Sequence, residues 1–359
     1  MAKIFIITYG CTANYDNTAI IKGILSAKKH SFAETPEKAD VIIINSCIVK
    51  GVTANKVMST IRRFKKKNLV ITGCMAEPEH ELIKKLAPRA SLVNTFHITK
   101  ISDAVSDAIA KTRSYYLGKR KEEKLGLPKI FDNKVSIQIA EGCIDSCFFC
   151  ETKLAKGHVK SFSPERIASE LKGYIVAGNK NINITSTDNS CYGFDIKTNL
   201  PKLLNDLVSI KGNFQLRIGM MNPGNVKPYL KELIEVYKSK KIIKFLHIPI
   251  QSGSNKVLKN MNRKHTIDDF RLIVNEFRKS IPGINISTDV IVGYSTEKEE
   301  DFKQTLKLIK EIKPDVINIS RFSPRPGTMA AKLKQVPTET IRDRSRILAR
   351  EFEGLHIKQ

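Results

Sequence analysis

The sequence predicts an α/β protein made of two successive regions of parallel strands, and three observations lead there. Apolar, β-rich runs alternate with helix-patterned segments along nearly all of the 359 residues. The runs are continuously apolar, as in strands covered on both faces, rather than alternating as in half-solvated sheets. The runs also end in polar or sulfur-bearing residues, at the strand ends where open α/β sheets and barrels place their ligands.

The first third repeats one unit three times. "KIFIITYGC", "DVIIINSC" and "LVITGC" are strands that each end in a small residue and a cysteine. Helical patterns follow near Asn14–Lys28, Gly51–Lys66 and Glu77–Leu86. Parallel strands point their C-terminal ends to one edge, so Cys11, Cys47 and Cys74 should converge there despite their separation in sequence. This gives a domain over 1–111. The charged stretch Thr112–Asn133, with "GKRKEEK", reads as a linker.

From 134 to 335 the alternation resumes. The strands are "VSIQIA", "NINITST", "FQLRIGM", "KFLHIPI", "INISTDVIVG" and "DVINIS". Helical patterns separate them near Pro164–Ala177, Leu200–Ile210, Val226–Ser239, Ile267–Lys279 and Glu297–Lys310. Ser163-Pro164 predicts an N-cap followed by proline in the first turn, and Thr296 with Glu299 a capping box. Six such units predict a partial (β/α)6 barrel, with Cys143, Asp188, Asn222, Gln251, Asp289 and Arg321 at its C-terminal mouth. The last segment, 336–359, is basic and reads as a helix.

Composition narrows the classes. No apolar run approaches the ~20 residues of a membrane span, and "MAKIFIITYG" lacks a secretory signal. A cytoplasmic protein without a membrane partner is expected. The net charge of +25 favours a polyanionic partner, with nucleic acid first. The odd count of seven cysteines, Cys191 being the one outside the two trios, argues against a disulfide framework and for metal or cluster ligation.

"EGCIDSCFFCETK" is the most informative stretch, with Cys143, Cys147 and Cys150 in a C-x-x-x-C-x-x-C spacing. Structural zinc sites use four protein ligands and commonly two C-x-x-C pairs. A zinc site here would need a distant fourth ligand such as His158. Three thiolates suit a 4Fe–4S cluster with one iron left for a substrate.

This motif after a first barrel strand resembles the radical S-adenosylmethionine (SAM) superfamily. "TYGCTANYDN", "VIIINSCIVKGVTANK", "ITGCMAE", "LRIGMMNP", "FLHIPIQSGSNKVLKNMNRKHT" and "STDVIVGYSTEKEEDF" are similar to radical SAM methylthiotransferases. "AEGCIDSCFFCETKLAKGHVKSFSPE" and "TSTDNSCYG" resemble the archaeal and eukaryotic branch that modifies N6-threonylcarbamoyladenosine in tRNA. Departures from that branch are Lys156-Gly157 for Arg-Gly, Thr187-Asp188 for an acidic pair, and Tyr294-Ser295 for Phe-Pro-Gly. The family usually continues into a C-terminal β-barrel RNA-binding domain, and the expectation is that this sequence stops before it, through truncation.

The resemblance implies two 4Fe–4S clusters and SAM. Cys143, Cys147 and Cys150 would hold the radical cluster, and Cys11, Cys47 and Cys74 the auxiliary one. Gln251, Ser252, Asp289 and Asp188 are the candidates for holding SAM, with Arg321 a further candidate for SAM or substrate. It also implies addition of a methylthio group to C2 of a tRNA adenosine next to the anticodon. The partners would be the anticodon stem-loop and an electron donor and a sulfur donor that the sequence does not identify. Related chemistry on N6-isopentenyladenosine or a ribosomal-protein aspartate remains open at this point. So does a non-catalytic iron–sulfur sensor that binds RNA. Lys153, Lys156 and Lys160 are candidates for contact with RNA phosphate or the SAM carboxylate, His247 reads as an interior histidine, and Tyr9 and Asn14 flank the first trio.

Overall fold

The structure, a computed structural model, describes residues 1–118, 123–132, 134–352 and, by backbone alone, 356–358. Two compact units divide the chain: residues 1–138 with 151–158, and residues 139–150 with 159–359. The second boundary thus falls inside the cysteine-rich motif, between Cys150 and Glu151.

In the first unit six strands form one parallel sheet. Their order is Ser31–Phe32, Lys3–Thr8, Val41–Ser46, Leu69–Gly73, Ser91–Val93 and Tyr115–Tyr116. Strand side chains alternate between faces, and both faces here are apolar. Ile42, Ile44 and Ile71 pack with Val57 and Ile61 of helix Gly51–Phe64. Val41, Ile43 and Val70 pack with Ile20 and Ile21 of helix Thr12–Ala27, and with Ala104 of helix Ile101–Ile109. Each buried aliphatic side chain contributes roughly 1.5–3 kcal/mol, which is why the runs are continuously apolar rather than alternating with polar residues.

The expected linker is fixed where it is described. Lys129 Nζ donates to both oxygens of Asp16 (3.0 and 3.3 Å), and Ile130 N–H donates to the Ala19 carbonyl. A Cβ at Gly23 would lie 2.0 Å from the Pro128 carbonyl oxygen, so only glycine lets this segment approach the helix.

In the second unit the strand Asn181–Thr185 pairs with Gln215–Ile218. Phe245–His247, Asn285–Val292, Val316–Arg321 and His356–Lys358 form a parallel ribbon in that order. Ile243 N–H to the Leu216 carbonyl and Met221 N–H to the His247 carbonyl connect the two sets. Among the described residues no pairing closes the ring, as a partial barrel requires. Helices Pro164–Val176, Leu200–Ser209, Leu230–Tyr237, Ile267–Ser280 and Glu299–Ile312 intervene between strands.

Ser163 caps its helix as expected, its Oγ accepting from Arg166 N–H. The predicted box at Thr296 is displaced. The helix begins at Glu299, and the Asp301 carboxylate accepts from Lys298 N–H (3.0 Å). Thr296 Oγ1 instead accepts from Asn260.

The tail also differs from a single helix. The helix spans Thr338–Glu351, and residues 356–358 add a strand beside Val316–Asn318. An edge strand with unpaired backbone groups recruits such an addition. Arg344 anchors the helix through a buried ion pair with Glu297 (2.7 Å).

Candidate functional site

The loop Gly142–Cys150 leaves the end of a short strand, Ala140–Glu141, with Gly142 at φ +80°. Its thiols are all half-buried. The loop is clamped by backbone on two sides: Phe148 N–H donates to the Met261 carbonyl, and Ala330 N–H to the Phe148 carbonyl. Cys150 N–H donates to the Cys147 carbonyl (3.0 Å), and Asp145 N–H to Cys143 Sγ (3.3 Å). Phe149 packs against Met261, Tyr294 and Phe322. The three sulfurs are therefore presented by a fixed loop.

Beneath the loop runs a polar network drawn from four separate segments. Asp145 Oδ2 accepts from Asn222 Nδ2 (2.5 Å) and Asn225 Nδ2 (2.9 Å). Asn225 also reaches Asp188 Oδ2 (3.3 Å), which accepts from Cys191 Sγ (3.2 Å). Cys191 Sγ lies 3.7 Å from Cys143 Sγ. Donor atoms of Cys143, Asp145, Asp188 and Cys191 all fall within 4.8 Å of one another. Arg263 completes the network, with Nη1 donating to Cys147 Sγ (3.4 Å) and Nη2 to Asn222 Oδ1 (2.8 Å). Burial pushes the Cys147 thiol up to about 11 while the Arg263 charge pulls it down. The hydrogen bond with Cys143 and then burial raise the Cys191 thiol far above its ordinary range.

The other three cysteines lie in the first unit, at the ends of neighbouring strands as topology predicts. Cys11 N-caps helix Thr12–Ala27 and is exposed, whereas Cys47 and Cys74 are each 3% exposed. Asn14 ties their loops together. Its Nδ2 donates to the Tyr9 and Ser46 carbonyls (2.8 Å each), and its Oδ1 accepts from Cys74 Sγ (3.7 Å). A Cβ at Gly10 would lie 2.7 Å from Cys47 Cβ, and one at Gly73 2.4 Å from the Ser46 oxygen. Both glycines have positive φ, so the close approach of these loops depends on them. Tyr9 holds the same region from outside, its hydroxyl 2.6 Å from Thr60 Oγ1.

The remaining candidates separate into two groups. Asp289 sits at a polar junction of three strands: His247 Nε2 is 3.1 Å from each carboxylate oxygen, and Asn318 Nδ2 donates to Oδ1 (2.6 Å). His247 thus ends its strand paired with a carboxylate, with its ring edge-on to Phe245. Gln251 has a left-handed backbone (φ +72°), and its N–H donates to the Asp289 carbonyl. Asp188 and Ser252 are both buried and held by side-chain and backbone hydrogen bonds. Asp188, 2% exposed, accepts from Ser190 Oγ, Cys191, Asn225 and the Asn222 N–H. Burial raises its carboxyl against those hydrogen bonds. Ser252 is fully buried and accepts from Ser254 N–H. Arg321 lies exposed at its strand's end. Lys156 is 3% exposed, so it does not present a phosphate-binding charge to solvent. Sequence reasoning passed over Asp145, Asn225 and Arg263. Asp145 could have been noticed as the one carboxylate inside the cysteine spacing.

The comparisons with known proteins agree with this geometry. Residues 3–95 match the family described as "Uncharacterized protein family UPF0004", and residues 137–309 the Radical SAM superfamily. Among solved structures, the radical SAM methyltransferase TsrM from Kitasatospora setae superposes with a TM-score of 0.64 at 12% identity, covering 92% of this chain and 77% of that one. The cobalamin-dependent radical enzyme OxsB gives 0.59 at 12% identity, over 99% and 56%. These define the class: an α/β protein of the radical SAM fold.

The sequence relatives narrow it. A probable threonylcarbamoyladenosine tRNA methylthiotransferase from Pyrococcus horikoshii is 40% identical over 98% of this chain and 84% of its own length. The Homo sapiens threonylcarbamoyladenosine tRNA methylthiotransferase is 35% identical over 98% of this chain and 62% of its own. The chain belongs to the threonylcarbamoyladenosine tRNA methylthiotransferase family.

Proposed function

We propose that this enzyme adds a methylthio group to C2 of N6-threonylcarbamoyladenosine beside the tRNA anticodon. The observation that carries the reading is similarity over 98% of the chain, which takes in both cysteine trios. The net charge of +25 suits a polyanionic partner such as the anticodon stem-loop. No described helix is long and apolar enough to cross a membrane, and a tRNA substrate would place the enzyme in the cytoplasm.

The residues of each trio fit an iron–sulfur cluster with one open corner. In the loop, Asp145 is the carboxylate within the spacing, and its Oδ2 is engaged by Asn222 and Asn225. That oxygen is thus occupied, and Oδ1 faces the Lys264 ammonium at 3.5 Å, which leaves the three sulfurs as the loop's ligand set. Cys143, Cys147 and Cys150 would hold one 4Fe–4S cluster, whose bound SAM supplies radical chemistry at an unactivated C–H position. Cys11, Cys47 and Cys74 would hold a second, with Asn14 fixing their loops and the burial of Cys47 and Cys74 restricting water. Gln251 and Asp289 would orient SAM, Asp289 being itself held by His247 and Asn318.

The deciding experiment is mass spectrometry of nucleosides from tRNA bearing threonylcarbamoyladenosine, incubated anaerobically with reconstituted enzyme, SAM and a low-potential reductant. A methylthio product is expected. Its absence from protein carrying both clusters would overturn the reading.

A further inference from the structure

Arg263 sits in an unusual electrostatic position. It follows helix Asn255–Asn260 in a turn where Asn262 adopts φ +58° and Arg263 N–H donates to the Leu258 carbonyl. The guanidinium is half-buried, and among the described residues no carboxylate pairs with it. Nη2 donates to Asn222 Oδ1 (2.8 Å) and to the Pro249 carbonyl (3.4 Å), and Nη1 to Cys147 Sγ (3.4 Å). Nε is buried without an acceptor. The neighbouring charges do not supply a counter-ion. Lys264 turns to Asp145 (3.5 Å), and Asp145 gives its Oδ2 to Asn222 and Asn225. A desolvated cation without an anion is costly, and the acceptor that can become anionic here is the sulfur of Cys147.

We propose that Arg263 is a positioning residue whose charge and hydrogen bond raise the reduction potential of the cluster held at Cys147. This rests on the reading of Cys143, Cys147 and Cys150 as ligands. The argument is that donors to a ligating sulfur, and positive charge beside it, stabilise the form carrying one more electron. A one-electron donor of low potential then reduces the cluster at a potential set partly by this side chain. The guanidinium is held by Asn222 and Pro249 from its other edge, so the contact with sulfur does not depend on the cluster to form. Asn222 belongs to the same device, because it joins Arg263 to Asp145, a residue of the cysteine loop itself.

The test uses full-length Cys47→Ala/Cys74→Ala protein, so that the loop cluster is observed alone, titrated with dithionite and followed by electron paramagnetic resonance. Arg263→Met and Arg263→Gln should take up as much iron as the parent. Their midpoint potentials should fall, and Arg263→Lys should recover part of the difference. Equal potentials in parent and Arg263→Met or Arg263→Gln at equal iron content would overturn the inference. So would loss of iron from both neutral variants with the fold retained, which would make Arg263 purely structural. A parent lacking any reducible cluster, or one unaffected by Cys147→Ala, would instead overturn the reading of the loop, and the inference with it.

Discussion

Cys143, Cys147 and Cys150 lie within eight consecutive residues, whereas Cys11, Cys47 and Cys74 span 64. The first trio is half-buried on a single loop, clamped by backbone hydrogen bonds from Met261 and Ala330. The second is assembled from three strand ends, with two thiols buried and the third exposed at a helix start. The difference teaches where each site's geometry is stored. For the loop it lies in local spacing and in the polar residues beneath. For the sheet edge it lies in strand register, in two glycines and in Asn14.

If the two trios are separate centres, removing each should remove a different half of the chemistry. Ala at Cys143, Cys147 or Cys150 should reduce 5′-deoxyadenosine formation to background, with iron falling from about eight to about four per chain. Ala at Cys47 or Cys74 should give a similar iron loss yet preserve SAM cleavage while abolishing the methylthio product. Joint loss of both activities in either set would merge the centres.

Two variants probe the stored geometry of the sheet edge. Gly73→Ala places a Cβ 2.4 Å from the Ser46 oxygen at φ +89°, so denaturant melts should show a loss of about 2–5 kcal/mol. Asn14→Ala removes the tie among the three loops and should cost about 1–3 kcal/mol. It should also lower iron uptake at this edge while leaving that of the loop trio unchanged.

The smallest effect concerns the loop side. Burial, followed by the Arg263 charge, lowers His265 from 6.5 to about 3. The unfolded chain therefore binds a proton that the folded one refuses. This contribution to stability is complete above pH 6.5 and is lost as pH falls from 6.5 toward 3. The slope should not exceed about 1.4 kcal/mol per pH unit, and His265→Gln should flatten it in melts between pH 7 and pH 5.

Much of this molecule was legible in its sequence because one signal recurs. Apolar runs ending in cysteine revealed parallel strands, and parallel strands place their ends together. The strand-end rule placed Asp188 and Asn222 beside Cys143 at the mouth, but Asp145, Asn225 and Arg263 were not legible, because they come from turns and a short helix far apart in the chain. No spacing rule links them. The strand at 356–358 escaped because three residues are too few to show a period, and the helix before it dominated the pattern. Ser252 and Asp188 lie past their strands as the sequence places them, but position on a strand end does not say how deeply a side chain is buried.

The grip of residues 123–132 on the helix Thr12–Ala27 changes what a covalent tether means here. A charged stretch that composition marks as a loose spacer is latched by Lys129 and by the missing side chain of Gly23. That helix is N-capped by Cys11 and carries Asn14, so the segment leaving the first unit is fastened to the same rod that organises its three strand-end cysteines. Proteases that cut extended chain would find little to cut between Lys124 and Phe131, and a bulky residue at position 23 would disturb the strand-end cysteines from the far end of the rod.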